Sequence, residues 1–428
     1  MIIFINHMPA NPWFDYTPSR LGPSDAAEIF VFLSGFASAI AFGRSFQQAG
    51  LGLGSVRVLF RCLQLYAAHL ALFIMMATLL LFMNTLGFVN GDWHLDNLDY
   101  FFNDTRAAVL ALVSLKFVPN FIDILPMYLV ILLWLPLVWA LSRLHVALAL
   151  GFSVSLYGAA WHFGWELTAN PMTGNTWYFN PFCWQLIFFT GFAFRSGWLP
   201  IPGYHRGLLG LCLVFAVFCF PLENPLGYEN LPWFTRFREE QIAWIDKSHL
   251  GVLRYLHFLA LSYLVITFLR RRQHWLQTSL ARTIIVMGQQ SLPVFMISTC
   301  LSFLGGMLMN TPQPSLLESA WVNIAGLGLM MLLAELLNWL DRKPWKTVPA
   351  NAVNINPNWP RQAALAFSLL AISALPLAFL HTAAPVAEMA AENQAPDQIV
   401  TLQNDLAPVT EEVTFRPQEP ELETPDPL

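Results

Sequence analysis

Charge is scarce in this 428-residue chain: Asp, Glu, Lys and Arg make up 11% of it, against about 25% in a soluble globular domain. The apolar residues, 56% of the total, do not alternate with polar ones as barrel strands require. Helices are then the remaining way to satisfy backbone polar groups in lipid, so the sequence predicts an all-α polytopic membrane protein. Cysteine is sparse too. Cys62, Cys183, Cys212, Cys219 and Cys300 all lie in or beside apolar stretches, with no C-x-x-C pair. They read as small buried residues rather than metal ligands or disulfides. No metal-spaced Cys/His set, G-x-S-x-G or H-E-x-x-H is present, which removes the familiar zinc and hydrolase chemistries. No internal repeat supports an inverted-repeat transporter, and nothing suggests a nucleic-acid surface.

A spanning helix needs about 20 mostly apolar residues. Runs of this kind lie at 25–43, 60–83, 121–142, 145–162, 181–198, 207–221, 251–269, 284–309, 319–340 and 362–381. With an incomplete run at 1–8, this makes ten to eleven spans, the first truncated. The stretch 105–118 is short and broken by Lys116 and Pro119, so it reads as interfacial or re-entrant. The expected organisation is a membrane domain over 1–340, a cytoplasmic linker over 341–361, an extra helix at 362–381 and a tail over 382–428. That tail holds ten Asp/Glu, one Arg and seven Pro, a composition of disorder. It carries −9, so the remainder of a chain with net charge −5 is +4. Fourteen of the 22 Lys and Arg fall in one alternate set of loops. By the positive-inside rule that set is cytoplasmic, and the loops 9–24, 84–120, 163–180 and 222–250 face outward with the tail. The outer loops carry Trp161, Trp165, Trp177, Tyr178, Tyr228 and Trp233, which suit interfacial anchoring or stacking on sugar rings.

The polar residues within these runs gather at one level. His7 ends the first apolar stretch. Asp25 and Glu28 open the second, three apart and therefore on one face. Asp25 suits a helix cap, because acids favour the positive N-terminus. It also suits a partner for the histidine, since an imidazole beside a carboxylate is the minimum set for taking a proton from a hydroxyl. Asp123 and Asn180 start two more inward-going helices, where a cap and a pocket residue both fit. Gln185 follows Asn180, and His257 lies about 9 Å into its own helix. His69 and His162 read as packing residues. Ionisable groups in lipid are costly unless gathered around a polar cavity, so an outward-opening pocket is predicted. On the cytoplasmic side Arg57, Arg61 and Arg270 suit either plain topology or the phosphates of a nucleotide-like donor. The run Gly50-Leu51-Gly52-Leu53-Gly54-Ser55 lacks a preceding strand and the Walker lysine, so it reads as a flexible connector. Gln290, between Gln289 and Ser291, lies where a passage between the two sides would run.

Several blocks together resemble the OpgC family. They are His7-Met8-Pro9-Ala10-Asn11-Pro12, Ser24-Asp25-Ala26-Ala27-Glu28-Ile29, Pro119-Asn120-Phe121-Ile122-Asp123, Asn180-Pro181-Phe182-Cys183-Trp184-Gln185, Leu253-Arg254-Tyr255-Leu256-His257-Phe258 and Gln290-Ser291-Leu292-Pro293. The resemblance spans roughly residues 1–340. It implies an inner-membrane enzyme of the wider acyltransferase-3 superfamily, a succinyltransferase acting on osmoregulated periplasmic glucans. It implies an acyl-coenzyme A donor (succinyl-CoA) used as substrate, with no bound cofactor or metal. Its partners would be the glucan, the bilayer and glucan-synthesis proteins. It also implies that His7 is catalytic, with Asp25 or Glu28 orienting it. Asp123, Asn180, Gln185, His257 and Gln290 would then contact substrate, and Arg57, Arg61 and Arg270 the donor phosphates. Only six residues precede His7, about 9 Å of helix against a core of about 30 Å. The family pattern has a complete first helix, so a misplaced start or a shortened copy is expected. The competing expectations are acetyl transfer to another polysaccharide and a polysaccharide transporter without chemistry.

Overall fold

The computed structural model describes residues 1–87, 98–309 and 314–346. The expected helix 362–381, the tail 382–428 and all but the first residues of the 341–361 linker lie outside the described residues. The described chain is helical, with one isolated bridge, Thr168–Thr176, as its sole extended pairing. In order the helices are α1 (Ile2–Asn6), α2 (Ala26–Thr85), α3 (Asp99–Asn103), α4 (Thr105–Val113), α5 (Ile124–Leu144), α6 (Val146–Phe163), α7 (Pro181–Ser196) and α8 (Arg206–Glu223). Then follow α9 (Pro225–Tyr228), α10 (Pro232–Glu240), α11 (Ile242–Ile245), α12 (Val252–Arg270), α13 (Ser279–Gln289), α14 (Ser291–Met309) and α15 (Leu316–Asp341).

Seven described helices are long and apolar enough to cross a membrane: α2, α5, α6, α8, α12, α14 and α15. At 60 residues, α2 would be about 90 Å long if straight, three times a hydrocarbon core. It is not straight. Gly50 takes φ 76°, ψ 176°, a conformation open to glycine and not to a residue with a Cβ. The expected flexible connector over 50–55 is thus a single-residue break, and the helix resumes at Leu51. Phe46 closes the corner, its ring 2.2 Å from where a Cβ on Gly54 would stand. The expected single span 284–309 is also divided, at Gln290 (φ −95°, ψ 36°), into α13 and α14. The stretch 105–118 contains only the short α4.

The core lies where α2, α5 and α7 pack together, filled by Val31, Leu72, Phe73, Leu125, Ile131, Trp184 and Phe188. The backbones of α2 and α7 touch. A Cβ on Gly35 would stand 1.9 Å from the Phe188 carbonyl oxygen, and one on Gly191 2.2 Å from that of Phe32. Small residues at both points permit this approach, which in lipid gains packing unavailable to bulkier pairs. Around the core, α8 pairs with α12, while α1, α13 and α15 gather about α14. The starts of α2, α5, α7 and α12 thereby come to one end of the bundle, the end that also receives His7.

Candidate active site

The short α1 is pinned by its neighbours. The Phe4 ring lies where Gly326 of α15 leaves room, 2.2 Å from a Cβ position, and Met8 does the same at Gly305 of α14. Ser302 Oγ donates to the Phe4 carbonyl at 2.8 Å. Asn11 and Asn323 exchange hydrogen bonds of 3.0 and 2.9 Å. His7 caps this helix, its backbone N–H donating to the Ile3 carbonyl. Its ring meets Phe121 edge-on, with centroids 4.9 Å apart. Phe121 holds a left-handed backbone, φ 71°, which is uncommon for a bulky residue. His7 Nδ1 is buried with no hydrogen-bond partner.

Asp25 and Glu28 form a capping box at the start of α2. Asp25 Oδ1 accepts from the Ala27 N–H at 2.7 Å, and Glu28 Oε2 accepts from the Asp25 N–H at 2.7 Å. Two cations complete the cluster. Lys247 Nζ donates to Asp25 Oδ2 at 2.6 Å. Arg254 Nε donates to Glu28 Oε1 at 2.7 Å, and Arg254 also lies 3.6 Å from Asp25 Oδ2. Glu28 is 0% exposed. A carboxylate so enclosed requires a partner, because desolvation of an unpaired charge is prohibitive. These bonds occupy both carboxylates, and neither bonds to His7.

Lys247 reaches Asp25 because its loop is fastened from several sides. The Trp184 indole donates to the Lys247 carbonyl at 3.0 Å. Tyr157 donates to Leu250 O, Trp161 to His249 O, and the Asn180 backbone N–H to Ser248 O. Asp246 ties the turn by accepting from the Ser248 and His249 N–H groups. Burial disfavours the Lys247 charge, but the Asp25 carboxylate together with Tyr178 and Glu28 outweighs it and holds the Lys247 pKa above its ordinary value. His249 bridges Asp246 at 2.7 Å and Glu166 at 3.1 Å. The hydrogen bond with Asp246, helped by the two acidic charges, raises the His249 pKa above 6.5. A raised folded-state pKa adds stability that is complete below the unfolded value and lost as pH rises through the folded one. The thermal midpoint should therefore fall as pH rises from 6.5 through the His249 titration. In His249→Gln that component of the fall should vanish; equal pH slopes in the two proteins would refute the assignment.

Asp123 stands just before α5, 3% exposed, with its carboxylate beside the Asp123 and Ile124 backbone N–H groups but forming no standard capping bond. Its Oδ2 is buried without a partner. His257 is fully buried. Its Nδ1 accepts from the Ser24 backbone N–H at 3.3 Å and meets Ser24 Oγ at 2.7 Å. A backbone N–H can only donate, so in the neutral ring the proton resides on Nε2. That nitrogen has no partner and lies 2.5 Å from where a Gly22 Cβ would stand. His69 is buried beside the Ile122 backbone.

Asn180, Gln185 and Gln290 are bonded within the protein. Asn180 Oδ1 accepts from the Phe182 N–H, and its amide donates to Trp165 O at 2.6 Å, which leaves it a cap. Gln185, 0% exposed, exchanges bonds with Ser153. Gln290 donates to Asp341 at 2.6 Å. Arg57 and Arg61 line a cavity of about 420 Å³ with Ser34, Ser38, Gln64, Tyr128 and Ser291, and Arg57 bonds to Ser45 Oγ. Arg270, exposed in the last turn of α12, is not part of that lining. Lys247 and Arg254 are the two members of the cluster for which the sequence raises no site expectation. An arginine inside an apolar helix was a usable signal; Lys247, in a loop, offered none.

The family model described as OpgC protein matches residues 1–342 of this chain. No curated protein matches it, and no solved structure does.

Proposed function

The chain belongs to the OpgC family, and on that premise we propose that it is a membrane O-acyltransferase that succinylates a periplasmic glucan. The donor is a cytoplasmic acyl-coenzyme A. His7 is the observation that supports this reading best. A packed helix holds its imidazole at the end of the bundle that also carries a charge-balanced cluster, Asp25, Glu28, Lys247 and Arg254. A base in so poorly solvated a place acts on a bound hydroxyl without competition from bulk water.

In the reaction His7 removes the proton from a glucan hydroxyl. The oxygen adds to the thioester carbonyl carbon, the C–S bond breaks, and the thiolate leaves with the proton that His7 returns. An O-acyl ester and free coenzyme A result, and a neutral sugar gains the charge of the free succinyl carboxylate. The cationic Lys247 lies in the field of His7 and suits the negative charge that develops on the carbonyl oxygen.

The arginine cavity supports the donor half of the reading. Arg57 and Arg61 line it, and Tyr128, also in its lining, lies five residues past Asp123, about 7.5 Å along α5. An extended donor with phosphates on the arginines would thus point its thioester toward the His7 end. This orientation puts the His7 end in the periplasm and the arginine end in the cytoplasm of an inner-membrane protein, with the acidic tail periplasmic.

The test is the mass of periplasmic glucans from cells with and without the chain. A succinyl-sized increment that requires the chain is expected. An acetyl-sized one would retain the reaction and change the acyl group. Identical masses in both would defeat the reading and favour transport without chemistry.

A further inference from the structure

The structure leaves His7 without the carboxylate that a base of this kind requires. A base in acyl transfer is held in one tautomer by a hydrogen bond on its second nitrogen. Asp25 and Glu28 are the acids expected to orient it, but the capping box, Lys247 and Arg254 occupy their oxygens. Turning either toward His7 would break an ion pair and uncap α2.

Asp123 has no ion pair among the described residues, and one of its oxygens is unbonded. It heads α5 without capping it, is 3% exposed, and keeps Oδ2 buried and unbonded. His7 Nδ1 is likewise buried and unbonded. The two segments already touch, since the His7 ring packs on Phe121, two residues before Asp123. A buried donor and a buried acceptor each lacking a partner are costly apart, and each supplies what the other lacks.

The remaining unbonded atoms fit less well. Arg254 Nη2 and His257 Nε2 are donors in their ordinary states and cannot accept from His7. His69, with both ring nitrogens unbonded beside the Ile122 backbone, offers at most a neutral acceptor and no negative charge to balance an imidazolium. Asn6 Oδ1 belongs to a side chain whose amide donates to Ser19 at 2.6 Å, and it lines a cleft with Asn11, Asp15 and Arg20 that excludes Phe121.

We propose that Asp123 is the positioning residue for His7: its Oδ2 accepts from His7 Nδ1–H and leaves Nε2 as the base. The bond closes when substrate fills the site, as catalytic hydrogen bonds often do. Asp123 thereby acts through His7 rather than as the substrate contact expected from sequence. The inference rests on the acyl-transfer reading above.

The experiment is steady-state acylation of glucan by the full chain in membranes, with succinyl-CoA as donor and each variant normalised to inserted protein. Asp123→Asn keeps the shape and loses the charge. It should lower kcat by about 10²–10⁴-fold, the range for general-base function and its orientation, with KM for glucan within about threefold, less than 1.4 kcal/mol of binding. In a His7→Ala background it should cost nothing further, because the two residues act as a unit. Asp123→Glu should retain more activity than Asp123→Asn, and this ordering stands even if both insert poorly. A loss in KM alone, an additive loss beside His7→Ala, or Asn outperforming Glu would each overturn the assignment. If the native chain transfers nothing, the acyl-transfer reading itself has failed, a result distinct from an active chain indifferent to Asp123.

Discussion

Replacing His7 with Ala should abolish succinyl transfer to glucan while leaving the protein inserted and folded. Loss of a general base costs about 10²–10⁴-fold in rate, enough to remove a modification scored as a mass increment. The structural cost should be small. His7 is half-buried, its Nδ1 makes no hydrogen bond, and its ring contact is with Phe121. The α1 segment is held instead by Phe4, Met8 and Asn11 against α14 and α15. The measurement is glucan mass from cells carrying native chain or His7→Ala, with chain abundance in the membrane fraction recorded beside it. Equal abundance with no increment is the expected result. An unchanged increment would remove His7 from the chemistry, and a chain lost from the membrane would mean that its role is packing.

The spans and the level of the polar groups were legible because both depend on local quantities. Apolar run length sets a span, and the depth of His7, Asp25, Asp123 and His257 follows from counting along helices. What those groups bond to was not legible. The pattern Asp25-x-x-Glu28 is a capping box by spacing alone, but its closure by Lys247, 222 residues away in sequence, depends on a loop fixed by Trp184, Tyr157 and Trp161. The same holds for Asn180. Its Pro181 marks a helix start, yet the tie of its amide to Trp165 required the fold. The Gly50 break was half legible: a glycine-rich run announced a turn, while the helix resuming at Leu51 reflects the demand that backbone groups in lipid be bonded internally.

Arg254→Leu should destabilise the protein more than any other single change at this end of the bundle. Arg254 is buried, with a side chain 6% exposed, and is the direct partner of a Glu28 side chain that is 0% exposed. Removing one member of a buried pair leaves the other charged and desolvated, at about 3–5 kcal/mol. The loss is not that of the arginine's own contacts, and a second substitution shows this. Glu28→Gln removes the stranded charge but keeps an oxygen that can accept the Asp25 N–H, so the cap of α2 survives. The double variant Arg254→Leu/Glu28→Gln should therefore recover most of the stability lost by Arg254→Leu alone. Reversible unfolding in detergent, followed as a double-mutant cycle, reads the difference. A double variant as unstable as the sum of its singles would mean that the pair is incidental and that Arg254 matters for its packing. Recovery of stability with the Lys247–Asp25 bridge still in place would show that two separable devices hold this end together: Glu28 and Arg254 as a buried brace, and Asp25 with Lys247 as a second ion pair beside it.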